Sequence, residues 1–153
     1  YETFPGSVTG LDNNWRTTSS SALSWELGTD GFQYTTGTGP IANHTVGGNT
    51  YFLLETSNGS QGDTAILESP CIDISSATCA RVEFWYHMYG DEMGDLLVEI
   101  GTGGSWSGTA LVISGEQQNS ESADWQRVQI SLAAYSGSDG LRVRFKGVKG
   151  TGE

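Results

Sequence analysis

The stretch "ARVEFWYHMYGDEMGDLLVEI", residues 80–100, decides the fold. Its first half alternates, with Val82, Phe84, Tyr86 and Met88 on one face and Glu83, Trp85, His87 and Tyr89 on the other. Its second half alternates Leu96, Val98 and Ile100 against Leu97 and Glu99. A side-chain period of two residues belongs to an extended strand with one face on a core. "GDEMG" supplies turn residues between the halves, so the stretch predicts a β-hairpin. It also places His87 in a strand among aromatics, where both ring nitrogens are expected to be hydrogen-bonded.

The same period recurs outward from this stretch. "NTYFLLETS" reads as a strand covered on both faces, and "DTAILESP" as a short strand ended by Pro70. "ALVISG", "WQRVQISL" and "GLRVRFKGV" follow at regular intervals. In the last, Leu141, Val143 and Phe145 face inward, while Arg142, Arg144 and Lys146 face water. No sustained helical period appears; "SLAAYSG" holds a short helical turn at most. Residues 5–48 are poor in apolar side chains, and "TTSSSALS" and "TTGTGPIANHTVGGN" read as long surface loops. Many short strands with Gly-rich turns and no crossover helices predict an all-β fold, an antiparallel sandwich of two sheets. With 153 residues, the chain fits one domain spanning residues 1–153.

Composition excludes several classes of function. Eighteen acidic residues face seven basic ones, a net charge of −11 that repels a phosphate backbone, so no nucleic-acid partner is expected. No run of 18 or more apolar residues occurs, which argues against membrane insertion. "YETFPGS" lacks the regions of a signal peptide, and "FKGVKGTGE" stops on a Gly-rich turn without a closing strand. The expectation is a piece of a larger secreted protein, tethered to other domains, with its last strand missing.

Cys71 and Cys79 can bridge if "IDISSAT" turns back on itself, and closing so short a loop contributes roughly 2–3 kcal/mol. A disulfide is favoured over two free thiols, and metal binding is disfavoured because no paired histidines or short Cys spacing accompany them. Asn43-His-Thr45 and Asn58-Gly-Ser60 match the glycosylation acceptor pattern.

Catalytic signatures are missing. "GSWSG" has its serines flanking Trp106, without the Ser-centred spacing of a nucleophile elbow. His44 and His87 have no marked nucleophile nearby, and the abundant carboxylates offer chance pairs only. No enzymatic activity is expected. A calcium site suits loop oxygens better, with two candidates: Asp91, Glu92 and Asp95 in the turn, or a composite of Glu2, Asn43 and Glu55. Glu55 shares a face with Tyr51 and Leu53, and a buried carboxylate needs a partner. Trp15, Trp25 and Trp106 lie in expected loops or at their edges, where flat aromatic faces stack on sugar rings; Trp125 opens a strand.

The run "FWYHMYGDEMGDLLVEI" resembles the most recognisable segment of the MAM domain family, named after the meprins, a neuropilin-type antigen and receptor tyrosine phosphatase mu. "TGPIANHT" at 38–45, "GGNTY" before a strand, "AILESP" and Trp125 fall in family order, so the resemblance covers roughly residues 1–150. Asn43 stands where the family usually has Asp, the N-terminal Cys pair of animal members is absent, and "SPCIDIS" is more like bacterial secreted members. The resemblance implies a jelly-roll β-sandwich that acts without catalysis in extracellular or cell-surface adhesion and recognition, on a protein or a glycan. A carbohydrate-binding accessory module beside a secreted enzyme is the alternative. Some members bind calcium or sodium near the N-terminal strand, which would bring Glu2, Asn43 and Glu55 together around one structural ion.

Overall fold

The structure, a computed structural model, describes residues 14–20, 22–29, 36–45 and 50–152. Among the described residues nine strands follow in chain order: β1 (Arg16–Ser19), β2 (Ser24–Thr29), β3 (Thr50–Glu55), β4 (Thr64–Glu68), β5 (Arg81–Tyr86), β6 (Asp95–Thr102), β7 (Ser105–Ser114), β8 (Gln126–Ser131) and β9 (Leu141–Val148). The 3-10 turn Ala133–Tyr135 is the helical piece expected from "SLAAYSG".

Five strands form one antiparallel sheet in the order β1-β4-β9-β6-β7, while β2–β3 and β5–β8 form antiparallel pairs. The period-two pattern sets which face is buried. Val98 and Ile100 of β6 and Leu141 and Val143 of β9 point inward with Ile74 and Leu132, all six under 9% accessible. Val82 and Phe84 of β5 and Ile130 of β8 close over them, and Phe84 meets Phe145 edge-on at 5.0 Å. The β2–β3 pair covers the other part of the inner face: the Trp25 Nε1–H donates to Ala65 O of β4 at 3.1 Å, and Leu54 lies against Gly147 of β9. The result is a jelly-roll antiparallel β-sandwich: the alternation predicts the sandwich, and the family resemblance implies the jelly roll.

The expected hairpin over residues 80–100 is not formed. β5 pairs with β8, whereas β6 pairs with β7 and β9, so residues 87–94 carry the chain from one sheet to the other. Both strands need their apolar faces on one core, and placing them in opposite sheets lets those faces meet. The crossover is fixed by backbone contact: a Cβ on Gly94 would lie 1.8 Å from Val148 O and 2.5 Å from Gly150 N. The tight hairpin is β6–β7, where Gly103 (φ 57°) and Gly104 (φ 83°) adopt the left-handed conformations that a type I′ turn requires.

The segment "TTSSSALS", residues 17–24, read as a surface loop, instead carries most of β1 and the first residue of β2. β1 is exposed along its length, and its polar sequence lacks alternation because main-chain pairing to β4 holds it at the sheet edge. β2 supplies a half-buried face opposite β3.

The expected disulfide is likewise not formed: Cys71 and Cys79 are free, exposed thiols. The residues between them pin the sheet instead of folding back. Ile72 exchanges backbone hydrogen bonds with Leu141 at 2.7 and 3.1 Å, and the buried Ile74 donates its N–H to Ser138 O at 2.9 Å. Among the described residues no helix is long and apolar enough to cross a membrane.

Candidate recognition surface

The alternation that buries Val82 and Phe84 turns Arg81, Glu83 and Trp85 to the outer face of β5. Pairing with β8 sets Gln129 opposite Glu83 and Arg127 opposite Trp85. One carboxylate oxygen, Glu83 Oε2, accepts from Arg127 Nη2 at 2.8 Å, from Arg81 Nε at 3.2 Å and from Gln129 Nε2. Arg127 first, then Gln129 and Arg81, hold the Glu83 carboxyl down to about 2 against a weaker opposing effect of desolvation. Glu83 is therefore ionised across the physiological range and cannot act as a general acid.

Trp85 is flanked on this face. The His44 ring stacks on it with centroids 4.4 Å apart and planes inclined by 26°, and the Arg127 guanidinium carbon lies 5.7 Å from its centroid. Each contact is worth roughly 0.5–1.5 kcal/mol, enough to hold the indole in one orientation. Arg81 and Arg127 remain about half exposed, at 53% and 51%. The surface thus offers an ordered aromatic group bordered by two guanidinium groups that share one carboxylate, on a chain that is otherwise strongly acidic.

His44 is positioned from a distance. Residues 36–45 lie across the sandwich end, tied by Gly39 N–H to Tyr89 O (2.8 Å), Ile41 N–H to Glu121 O (3.1 Å) and Gly37 N–H to Glu121 Oε1 (2.7 Å). Trp125 Nε1–H donates to Ala42 O at 3.0 Å. Beneath them, the 5%-exposed Gln118 accepts from Met88 N–H at 2.7 Å and donates to Tyr86 O at 3.1 Å, clamping the chain on both sides of His87.

His87 itself departs from expectation. It lies one residue past the end of β5, its ring 5.7 Å from that of Trp125, and both ring nitrogens are buried with no hydrogen-bond partner. Burial lowers its pKa; the nearby Ser120 and Ala123 carbonyls oppose that shift without reaching hydrogen-bond geometry.

The tryptophans expected to bind a ligand are placed apart. Trp15 packs with Phe52 and Phe145, at 5.6 and 6.1 Å, and Trp25 is tied to β4. Trp106 lies on the outer face of the five-stranded sheet over Gly101, with the guanidinium of Arg144 at 4.0 Å and that of Arg142 at 5.7 Å. Those cations do not simply face water: Arg142 pairs with Glu68 at 2.5 Å and Arg144 with Glu99.

Of the expected cation ligands, Glu2 lies outside the described residues. Asn43 sits beside Ala42 in the segment held by Trp125, and Glu55 ends β3 with Oε1 accepting from Ser57 N–H at 2.7 Å. An amide and a carboxylate oxygen are of the type that suits a hard cation. Asp91 and Glu92 are exposed in the crossover and Asp95 opens β6. Among the described residues no group of three His, Cys, Asp or Glu side chains is placed to hold a metal ion.

Sequence reasoning put Trp85 on the correct face but passed over Arg127, Gln118 and the His44 contact. The signal available was the outward alternation of Glu83 and Trp85; their partners arrive through a strand pairing that spacing does not encode.

The fold defines the chain as a jelly-roll antiparallel β-sandwich. Residues 9–153 match the MAM domain, meprin/A5/mu, and the chain belongs to that family. It is 35% identical over 88 residues to neuropilin-1 of Rattus norvegicus, covering 57% of this chain and 9% of that protein. It is also 35% identical over 105 residues to MAM domain-containing glycosylphosphatidylinositol anchor protein 1 of Homo sapiens, covering 67% of this chain and 10% of that protein. The chain thus spans about a tenth of the length of these relatives. Its fold is similar to that of the K1 cleaved adhesin domain of Lys-gingipain from Porphyromonas gingivalis W83, with a TM-score of 0.61 at 13% identity over 94% of this chain and 85% of that one.

Proposed function

We propose that this MAM domain is a non-catalytic recognition module, extracellular or at a cell surface, that engages a protein partner through the outer face of β5–β8. The observation that carries the reading is Trp85, held between His44 and Arg127 beside an ionised Glu83. Tryptophan and arginine fixed in one geometry contribute disproportionately to binding, because little conformational freedom is left to lose on association. Family membership supports the extracellular setting, and the similarity to an adhesin domain supports the use of this sandwich for contact. The glycan-binding alternative has less support, since Trp15, Trp25 and Trp106 all spend their rings on packing within the domain.

The test is binding of the tetramerised domain to an array of extracellular proteins, with a glycan array in parallel. Trp85→Ala should abolish the protein signals while leaving the melting temperature within a few degrees of wild type. Binding that survives both Trp85→Ala and Arg127→Glu would place the contact elsewhere. Turnover of a peptide or glycan by the purified domain, lost on a single carboxylate or histidine substitution, would refute the non-catalytic reading.

A further inference from the structure

We propose that His87 is the proton-sensitive pivot of a latch that holds residues 36–45, and with them His44, against Trp85. The inference rests on the reading of the β5–β8 face as the recognition surface, and concerns how access to that face is controlled.

A neutral imidazole carries one donor and one acceptor, and here neither is used although both nitrogens are buried. Adding a proton puts a positive charge in a site where burial outweighs the help of the nearby Ser120 and Ala123 carbonyls, neither of which reaches hydrogen-bond geometry. The surrounding ionisable groups do not compensate. On the loop after β7, Glu116 accepts from Gly90 N–H at 3.2 Å, Glu121 accepts from Gly37 N–H at 2.7 Å, and Asp124 is exposed. On the crossover, Asp91 and Glu92 are exposed; Tyr86 and Tyr89 flank His87 in the chain, Tyr51 meets Trp125 from β3, and His44 is spent on Trp85. Among the described residues none of these is recorded in contact with the ring nitrogens.

The imidazole has little room to escape. The residue is half-buried with its nitrogens covered, and Gln118 fixes the main chain at Tyr86 and Met88, so bringing a nitrogen to water means turning the ring against its Trp125 neighbour or loosening the clamp. Trp125 is the tie to Ala42 O, two residues before His44. A charge on His87 therefore acts on one of the bonds that hold the 36–45 segment, alongside those of the Gly37, Gly39 and Ile41 amides and the His44 stacking on Trp85.

The direction follows from linkage. Burial depresses the pKa of His87 in the latched state, while an opened state restores the ordinary value of about 6.5. Latching is then at full strength above pH 6.5 and weakens as pH falls from there toward the lower latched-state value, by up to tenfold per unit of depression. Mildly acidic conditions free Trp85 of its His44 cover; neutral conditions restore it.

Residue-resolved hydrogen exchange at pH 7.5 and 5.0, corrected for the intrinsic rate, tests this without any ligand. Protection of the Gly39 and Ile41 amides should fall roughly threefold or more in wild type and in His44→Gln, while Val143 in β9 stays protected. His87→Gln should remove the pH dependence. A pH dependence that persists in His87→Gln, or its absence from wild type, overturns the proposal. If His87→Gln fails to fold, Trp125→Phe, which deletes the donor to Ala42 O, serves instead. It should show weak protection already at pH 7.5 and little further change, and a full wild-type response would refute the coupling route. Because the Trp85→Ala binding experiment reads the face and hydrogen exchange reads the latch, either idea can fail without the other.

Discussion

Replacing Gln118 by alanine removes the clamp under the candidate recognition surface, and its cost follows from two bonds. Met88 N–H loses its acceptor at 2.7 Å and Tyr86 O loses a donor at 3.1 Å, in a place where Gln118 is only 5% accessible. Each buried group left unsatisfied costs about 1–3 kcal/mol, so the pair costs roughly 2–6 kcal/mol. For a domain of this size that is a fall in melting temperature of roughly 5–15 °C. The alanine methyl is too short to replace either contact, and water entering the gap would recover part of the loss, which sets the lower end of the range. Urea unfolding followed by fluorescence gives the equilibrium value, with an unchanged slope showing that the same surface is exposed. Gln118→Glu is the sharper variant: it keeps the shape and the acceptor for Met88 N–H but loses the donor to Tyr86 O and brings a charge into a buried position. It should be at least as damaging near pH 7. A loss below about 1 kcal/mol for Gln118→Ala, with the slope unchanged, would refute the claim that this side chain holds the crossover.

Gly94→Ala should destabilise by roughly 3 kcal/mol or more, because the new methyl meets the backbone at Val148 and Gly150 rather than a side chain that can rotate away; a stable, wild-type-like variant would mean that the two segments are not in contact. Glu83 contributes its pairing with Arg127, Gln129 and Arg81 in full above its ordinary value of 4.5 and loses it as pH falls through about 2, so Glu83→Gln should flatten that part of the acid unfolding curve. Superimposable acid limbs in the two proteins would contradict this. The structural cation expected from Glu2, Asn43 and Glu55 stabilises by mass action if bound, so excess chelator at constant ionic strength should lower the melting temperature, and an unchanged curve discards the ion.

The reading of residues 80–100 shows how far local pattern carries. Alternation placed Val82, Phe84, Val98 and Ile100 on the core side, and the structure buries or half-buries all four there. The pairing it predicted, a hairpin, is not the one formed, because "GDEMG" has the composition of a turn whether it joins neighbours or crosses between sheets. The decision rests on Gly94 packing against Val148–Gly150, a contact between segments more than 50 residues apart. Likewise β1 has no hydrophobic signal, since main-chain bonds to β4 define it. The cysteines are close in sequence, but the chain between them is committed to Leu141 and Ser138.

The candidate surface divides in the same way. That Glu83 and Trp85 face outward is a matter of period two, and −11 of net charge follows from composition; the sequence by itself determined both, along with the all-β class and the family. That Arg127 and Gln129 meet them, that His44 covers Trp85, and that the His87 nitrogens are left without partners were decided by tertiary structure alone. The physical reason is that side-chain direction along a strand is a local property of the backbone, whereas partnership across strands and loops depends on long-range closure that no short window of residues contains.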